Sequence, residues 1–458
     1  MIRFLAAVAV VLTAAFHSLA EPTGKPFCIS TEGSERATTG PGNMIVTAAG
    51  KTHIVWQDST KDGYFNRART LDRASGQWSA ASTLNRGKDN HARPILTIDS
   101  SGTLHAVISG HNSPVIHRQS KRPHDTSEWT DPVEIGAGTY PVMACGGDDT
   151  LYLTLRSAKH DALLLYIKPP GKSWQKPVEL VRRAPEYTGY VGYANGLAFG
   201  PDGKILHIVC DFYEGKDWDK QLGLHQAVTY MRSPDGGRTW QRADGSDVAI
   251  PARPETMDTL AQDIRVRPEK SSPPVLSSGG AILVDSKGSP FIFYSSHLKK
   301  PGELILASTD ARGQWRPRSV DAIEKSHAGF RINRRSFTIM QDDVIEGIVE
   351  LAPIDDAKLK DGFPTRESRL NPPTGTPVVW MISRDGGETF EVTPALPTAP
   401  QVARCAFNIE RPGGHNRIEM GRRPSFSFFE GLIRYPEKDE TIQNKVYWFE
   451  ARSDGEKR

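Results

Sequence analysis

The sequence predicts an all-β fold, a β-propeller of seven blades with six blades as the alternative. Three observations predict it: a turn-and-strand phrase that recurs along the chain, two near-identical Asp-containing turns, and a composition rich in turn formers. The 458 residues include 41 Gly and 33 Pro with only 38% hydrophobic residues, the balance of many short strands joined by many turns. No segment sustains a 3.6-residue apolar period over a helical length.

The first half of the recurring phrase is a tight turn followed by an alternating strand. It appears as Gly50-Lys51-Thr52-His53-Ile54-Val55-Trp56, as Ser101-Gly102-Thr103-Leu104-His105-Ala106-Val107, and as Asp148-Asp149-Thr150-Leu151-Tyr152-Leu153. It returns as Asp202-Gly203-Lys204-Ile205-Leu206-His207-Ile208 and Lys287-Gly288-Ser289-Pro290-Phe291-Ile292, with fainter copies near Gln341-Asp342-Asp343 and Phe429-Glu430-Gly431-Leu432. The second half is sharper. Ser233-Pro234-Asp235-Gly236-Gly237-Arg238-Thr239-Trp240 and Ser383-Arg384-Asp385-Gly386-Gly387-Glu388-Thr389-Phe390 both read as Asp boxes, in which Asp accepts turn N–H bonds, Gly takes positive φ and the aromatic packs between sheets.

Degenerate boxes end at Trp78, Trp129, Trp174 and Trp315, so successive aromatics fall 51, 45, 66, 75 and 75 residues apart, near or above one four-stranded blade. A last strand, Val446-Tyr447-Trp448-Phe449 before Ser453-Asp454-Gly455, completes the seventh blade, which N-terminal strands are expected to close. Insertions or an extra strand pair within the longer spacings would give six.

The ends set the compartment. Arg3, the apolar run Phe4 to Phe16 and the small-x-small Ser18-Leu19-Ala20 read as a signal peptide over 1–20, leaving 21–458 as one propeller domain. The run is shorter than a bilayer span, so the mature chain is expected to be secreted or periplasmic with no membrane partner. Net charge of +3, from 57 basic and 54 acidic residues, argues against a nucleic-acid partner. Cys28, Cys145, Cys210 and Cys405 form no CxxC pair and read as buried apolar residues or one long-range disulfide, and a metal site that borrows His415 is the other use of such a thiol.

The residues with chemical potential lie in the second and third blades. Lys88-Asp89-Asn90-His91-Ala92-Arg93-Pro94 opens the second blade, and Ser109-Gly110-His111-Asn112 follows its next strand. Tyr140 and Arg156 occupy the same two positions one blade later, so all four side chains are expected at one mouth. Together they suit β-elimination from a uronic acid. Arg neutralises the carboxylate, a neutral His or a deprotonated Tyr removes the α proton, and the other protonates the leaving glycosidic oxygen. The bland alternative has Tyr140 packed on Pro141, Arg156 paired with a surface carboxylate, and each His as a structural hydrogen-bonder.

The phrases Asn90-His91-Ala92-Arg93-Pro94, Ser109-Gly110-His111-Asn112, Thr139-Tyr140-Pro141 and Leu151-Tyr152-Leu153 with Arg156 resemble the BNR-4 family and its propeller-type polysaccharide lyases, which cleave ulvan. The resemblance spans roughly residues 45 to 300 and continues more weakly to the C-terminus. It implies His91, His111, Tyr140 and Arg156 as the catalytic set. The fourth-blade phrase Tyr190-Val191-Gly192-Tyr193 departs from the family in lacking a preceding Arg-Pro. The family lyases also carry a structural zinc on Cys and His, whose ligands the four scattered cysteines do not place.

The function expected is thus an exported lyase acting on an acidic, uronate-containing and ulvan-like polysaccharide. Its chemistry requires no cofactor, and a structural zinc or calcium is compatible with it. Arg118, Arg331 and His415 are candidate cations for the substrate, and Tyr190 and Tyr193 candidate stacking surfaces. A sialidase-like glycoside hydrolase shares the Asp boxes, yet no Arg-Ile-Pro phrase occurs, and Arg331-Ile332-Asn333 is late and imperfect. A non-catalytic sugar-binding propeller is the third reading.

Overall fold

The computed structural model describes residues 25–40, 42–215, 223–264, 275–300, 302–355, 359–360, 363–364, 374–397, 399, 401–418, 422–433 and 440–450. The signal-peptide expectation over 1–20 and the turn at Ser453 lie outside them. Within these residues the regular secondary structure is antiparallel strand apart from one short helix, Ala322–Ser326, and the architecture is of the β-propeller type. No described helix is long and apolar enough to cross a membrane.

The strands pair in chain order. Val191–Phe199, Leu206–Gly215, Gly223–Ser233 and Asp258–Asp263 form one four-stranded sheet, and Phe330–Ile339, Ile345–Pro353, Val378–Ser383 and Glu391–Pro394 form another. Between them, Leu276–Ser277 and Ile282–Val284 both pair Pro290–Ser296, followed by Glu303–Thr309 and Trp315–Ser319. A seven-stranded sheet runs from Pro94–Ile98 to Val178–Arg182 and contains a strand with two partners. Val133–Cys145 pairs through Gly138 with Ser113–Gln119, and from Thr139 onward with Leu151–Ser157.

A second shared sheet joins the chain ends. Arg404–Ile409, Ser425–Glu430 and Asn444–Glu450 continue into Phe27–Gly33, where Cys28 faces Tyr447, and then into Lys51–Thr60, Gly63–Asp72 and their neighbours. The long aromatic spacings come from long strands such as Gly223–Ser233, and from the connection beyond Pro353 that holds the pair Leu359–Lys360 and Phe363–Pro364.

Apolar cores lie between successive sheets. Leu163 and Leu165 meet Tyr193, Phe212 and Trp240; Phe293 stacks on Phe337 at 3.9 Å; Ile54 and Trp56 meet Cys405, Phe429 and Val446. Strands clamped on both faces are buried throughout, and Pro94–Ile98 and Leu104–Ser109 are buried at every residue, Thr97, His105 and Ser109 included. A cavity of about 70 Å³ lies where residues 142–145, 197–199 and 282–284 converge with the segment around Pro412 and Gly413.

The two sharp turns are built as their sequences require. Asp235 Oδ1 accepts the N–H groups of Arg238 (3.1 Å) and Thr239 (2.8 Å) while Oδ2 accepts the Thr239 hydroxyl at 2.8 Å, and Asp385 binds Thr389 in the same way. Gly237, at φ 87°, lies against Leu165 and Ile167 of the neighbouring sheet, where a Cβ would come within 3.2 Å of both. Because Phe199 pairs Leu206, Leu206 pairs Ser233, and Val191 pairs Glu214, this turn sits at the sheet end away from Val191 and Glu214. At the corresponding end of the neighbouring sheet stand Tyr140 and Arg156, two of the candidate residues.

Candidate active site

His91 precedes the strand Pro94–Ile98, and His111 lies in the tight connection after Leu104–Ser109. One carboxylate holds both: Asp89 Oδ1 accepts the His91 N–H at 2.8 Å and Oδ2 the His111 N–H at 3.2 Å. The imidazoles consequently face each other with centroids 4.9 Å apart. Burial and the Arg36 charge push the His91 imidazole down to about 4, and burial with Arg156 lowers His111 below its ordinary value. Both rings are neutral at neutral pH.

Tyr140 stands where Val133–Cys145 changes partners. The register slips between Thr139 and Val142, and Tyr140 takes φ 58°, a left-handed conformation that a bulky residue adopts only under constraint. The slip turns its ring toward His91, 6.1 Å between centroids. Arg156, opposite Thr139 in the register, brings its guanidinium carbon 5.4 Å from the Tyr140 ring centroid, and Arg93 approaches the same ring at 5.7 Å.

Arg156 is only 3% exposed, yet every partner it has is neutral. Nη1 donates to the Tyr190 hydroxyl (2.9 Å) and the Val191 carbonyl (3.2 Å), Nη2 donates to Asn112 Oδ1 (3.2 Å), and Nε is buried without a partner. Near the corresponding strand ends of other sheets the buried group is an acid with its own arginine: Glu214 with Arg253 at 2.6 Å and Glu350 with Arg334 at 2.7 Å. A buried cation without a carboxylate is expensive unless an anion arrives to pair with it. His91, His111, Tyr140 and Arg156 are thus brought together, and their arrangement can neutralise a carboxylate and move a proton.

The other candidates sit elsewhere. Tyr190 joins the cluster, but its ring lies under Arg156 (5.3 Å) and its hydroxyl bonds Arg156 and Tyr140, so it holds other groups instead of offering a face to a sugar. Tyr193 corrects the expectation of a stacking surface: it is fully buried, with its ring edge-on to Phe212 at 5.5 Å, because alternation turns it inward from Tyr190. Arg118 is also corrected. Its half-buried guanidinium donates to the carbonyls of Thr130 (2.6 Å), Leu84 and Trp129 (3.5 Å), so it ties strands together. Arg331 is half-buried on another sheet, opposite Ala352, with an unpartnered Nε.

His415 is not in this cluster. Cys145 ends the strand that Thr139 enters, six residues or about 20 Å away, and there Cys145 Sγ, an Asp149 oxygen and a His415 ring nitrogen lie within 4.8 Å of one another. His415 Nε2 is 2.8 Å from Asp149 Oδ1 but off the line of a hydrogen bond, and Asp149 also accepts the Ser100 N–H at 2.8 Å. Gly414 at φ 55° permits the close approach, since a Cβ there would meet the Cys145 carbonyl at 2.4 Å. A thiolate, a carboxylate and an imidazole fit zinc and suit calcium poorly. All four cysteines are free thiols, which overturns the long-range disulfide.

Sequence reasoning passed over Asp89, Asn112 and Thr139. Each lies within or beside the quoted phrases, but only the fold reveals that Asp89 spans two loops and that Asn112 reaches a neighbouring strand.

A sequence model of the BNR repeat-containing family matches residues 46–323. An ulvan lyase of Pseudoalteromonas sp. (strain PLSV) is 22% identical over 378 residues, 74% of this chain and 71% of that protein. An ulvan lyase of Alteromonas sp. (strain LOR) is 23% identical over 250 residues, 46% of this chain and 51% of that one. The crystal structure of polysaccharide lyase Uly1 shares the fold with a TM-score of 0.55 at 10% identity, over 90% of both chains.

Proposed function

We propose that this chain, which belongs to the BNR repeat-containing family, is an exported polysaccharide lyase that cleaves a uronate-containing, ulvan-like polysaccharide by β-elimination. The observation that carries the reading is Arg156, a buried cation with neutral partners only, beside two neutral imidazoles and a tyrosine. The likeness to ulvan lyases supports the substrate class.

Arg156 pairs with the uronate carboxylate and stabilises the charge that develops on it as the α C–H bond breaks. Because His91 and His111 are uncharged, an imidazole of this pair accepts the proton and the Tyr140 hydroxyl donates one to the glycosidic oxygen. The α-carbon electron pair becomes the new C=C bond as the C–O bond breaks, leaving an unsaturated uronate and a free hydroxyl. Tyr190 orients Arg156 and Tyr140. Arg331 offers a further cation to a sulfate or carboxylate along the polymer. Hydrolysis by paired carboxylates is disfavoured, since the cluster's own acid, Asp89, is occupied by two backbone amides.

Seven blades is the reading that the pairing supports. Dividing Val133–Cys145 at Thr139 leaves four strands on either side, and Phe27–Gly33 serves as the outer strand to Arg404–Ile409, Ser425–Glu430 and Asn444–Glu450. Zinc on Cys145, Asp149 and His415 would tie the C-terminal loop to the third blade, a structural role away from the cleft.

Incubation with ulvan and with glucuronan, followed by mass analysis of the products, tests the activity: elimination gives fragments one water lighter than hydrolysis does. Hydrolytic masses would overturn it.

A further inference from the structure

We infer that Asn112 is the second arm of the carboxylate clamp, its side-chain N–H donating to the same uronate carboxylate that Arg156 neutralises. The inference deepens the proposed lyase activity and rests on it. Arginine has donors only, so the Asn112 atom that faces Arg156 Nη2 at 3.2 Å must be the oxygen. That oxygen also accepts the Thr139 hydroxyl at 3.0 Å, and the Thr139 oxygen accepts the Asn112 backbone N–H at 2.8 Å. The amide is thereby locked in one of its two flips.

Locking the oxygen inward fixes where the nitrogen goes. Nδ2 has no partner among the described residues, and Asn112 is exposed beside His111 while Arg156 beneath it is buried. The remaining donor is presented on the open side of the guanidinium, next to the imidazole pair. Asn112 holds φ 47°, a conformation that Asn tolerates better than most residues and that swings its side chain over the neighbouring strand. A planar carboxylate set against Arg156 and the Asn112 amide meets two donors on adjacent edges. Both bonds strengthen as charge accumulates on its oxygens during α-proton removal.

Two variants separate this role from a structural one. Asn112→Gly removes the side chain without straining the positive φ, and Asn112→Asp keeps the shape but sets an anion against Arg156. With a polyuronate that the wild type cleaves, Asn112→Gly is expected to lose about 10- to 100-fold in kcat/KM, mostly in kcat. Asn112→Asp is expected to lose more, while both melt as the wild type does. Asn112→Gly within about twofold of wild type, or Asn112→Asp no worse than Asn112→Gly, would overturn the inference and leave the lyase reading standing. A wild type that cleaves no uronate polymer would instead remove the lyase reading, and this inference with it.

Discussion

Arg156 donates to the Tyr190 hydroxyl at 2.9 Å, and that same hydroxyl bonds Tyr140. One tyrosine therefore couples the proposed carboxylate clamp to the proposed proton donor. Tyr190→Phe keeps the ring beneath the guanidinium and removes only this coupling. It should lower kcat/KM roughly tenfold with little change in melting temperature. An unchanged rate would show that the two groups hold their places without it.

Arg156 itself should be irreplaceable. Lys carries the charge but cannot make the three directed bonds to Tyr190, Val191 and Asn112. Steady-state kinetics of Arg156→Lys should show a loss of about 100-fold or more, and Arg156→Ala at least as much.

The pH profile follows from the histidines. An imidazole accepts a proton only when neutral, and burial holds His91 down to about 4, so kcat/KM should fall on the acid side near pH 4 and not near the usual 6.5. A limb at or above the ordinary histidine value would remove His91 as the acceptor.

Tyr193 separates core from cleft. Its hydroxyl is buried without a partner, so Tyr193→Phe should melt no lower than wild type and leave KM unchanged. Tyr193→Ala should cost about 3–5 kcal/mol in denaturant unfolding. A raised KM in Tyr193→Phe would restore it to the sugar-binding surface.

The proposed zinc predicts a separable stability effect. Elemental analysis should find one equivalent of zinc, lost in His415→Ala and on chelation, with a lower melting temperature but an unshifted pH profile of the remaining folded enzyme.

Much of this was legible in the sequence because turns and alternation are local. Asp235 and Asp385 bond residues three or four positions away, so their role shows in the string itself. The matched positions of His91 with Tyr140 and of His111 with Arg156 were readable for the same reason, as a repeat makes sequence offset stand for spatial place. Illegible were the contacts between repeats. Asn112 meets Arg156 across 44 residues, and His415 reaches Cys145 from the far end of the chain. Tyr190 and Tyr193 look alike in sequence, and only strand phase sends one to the cleft and the other into the core.

The most direct test is to follow ultraviolet absorbance while the mature protein acts on ulvan and on glucuronan. The unsaturated uronate left by β-elimination absorbs, so absorbance should rise with wild type and stay flat with Arg156→Ala. New reducing ends without that absorbance would contradict the elimination mechanism.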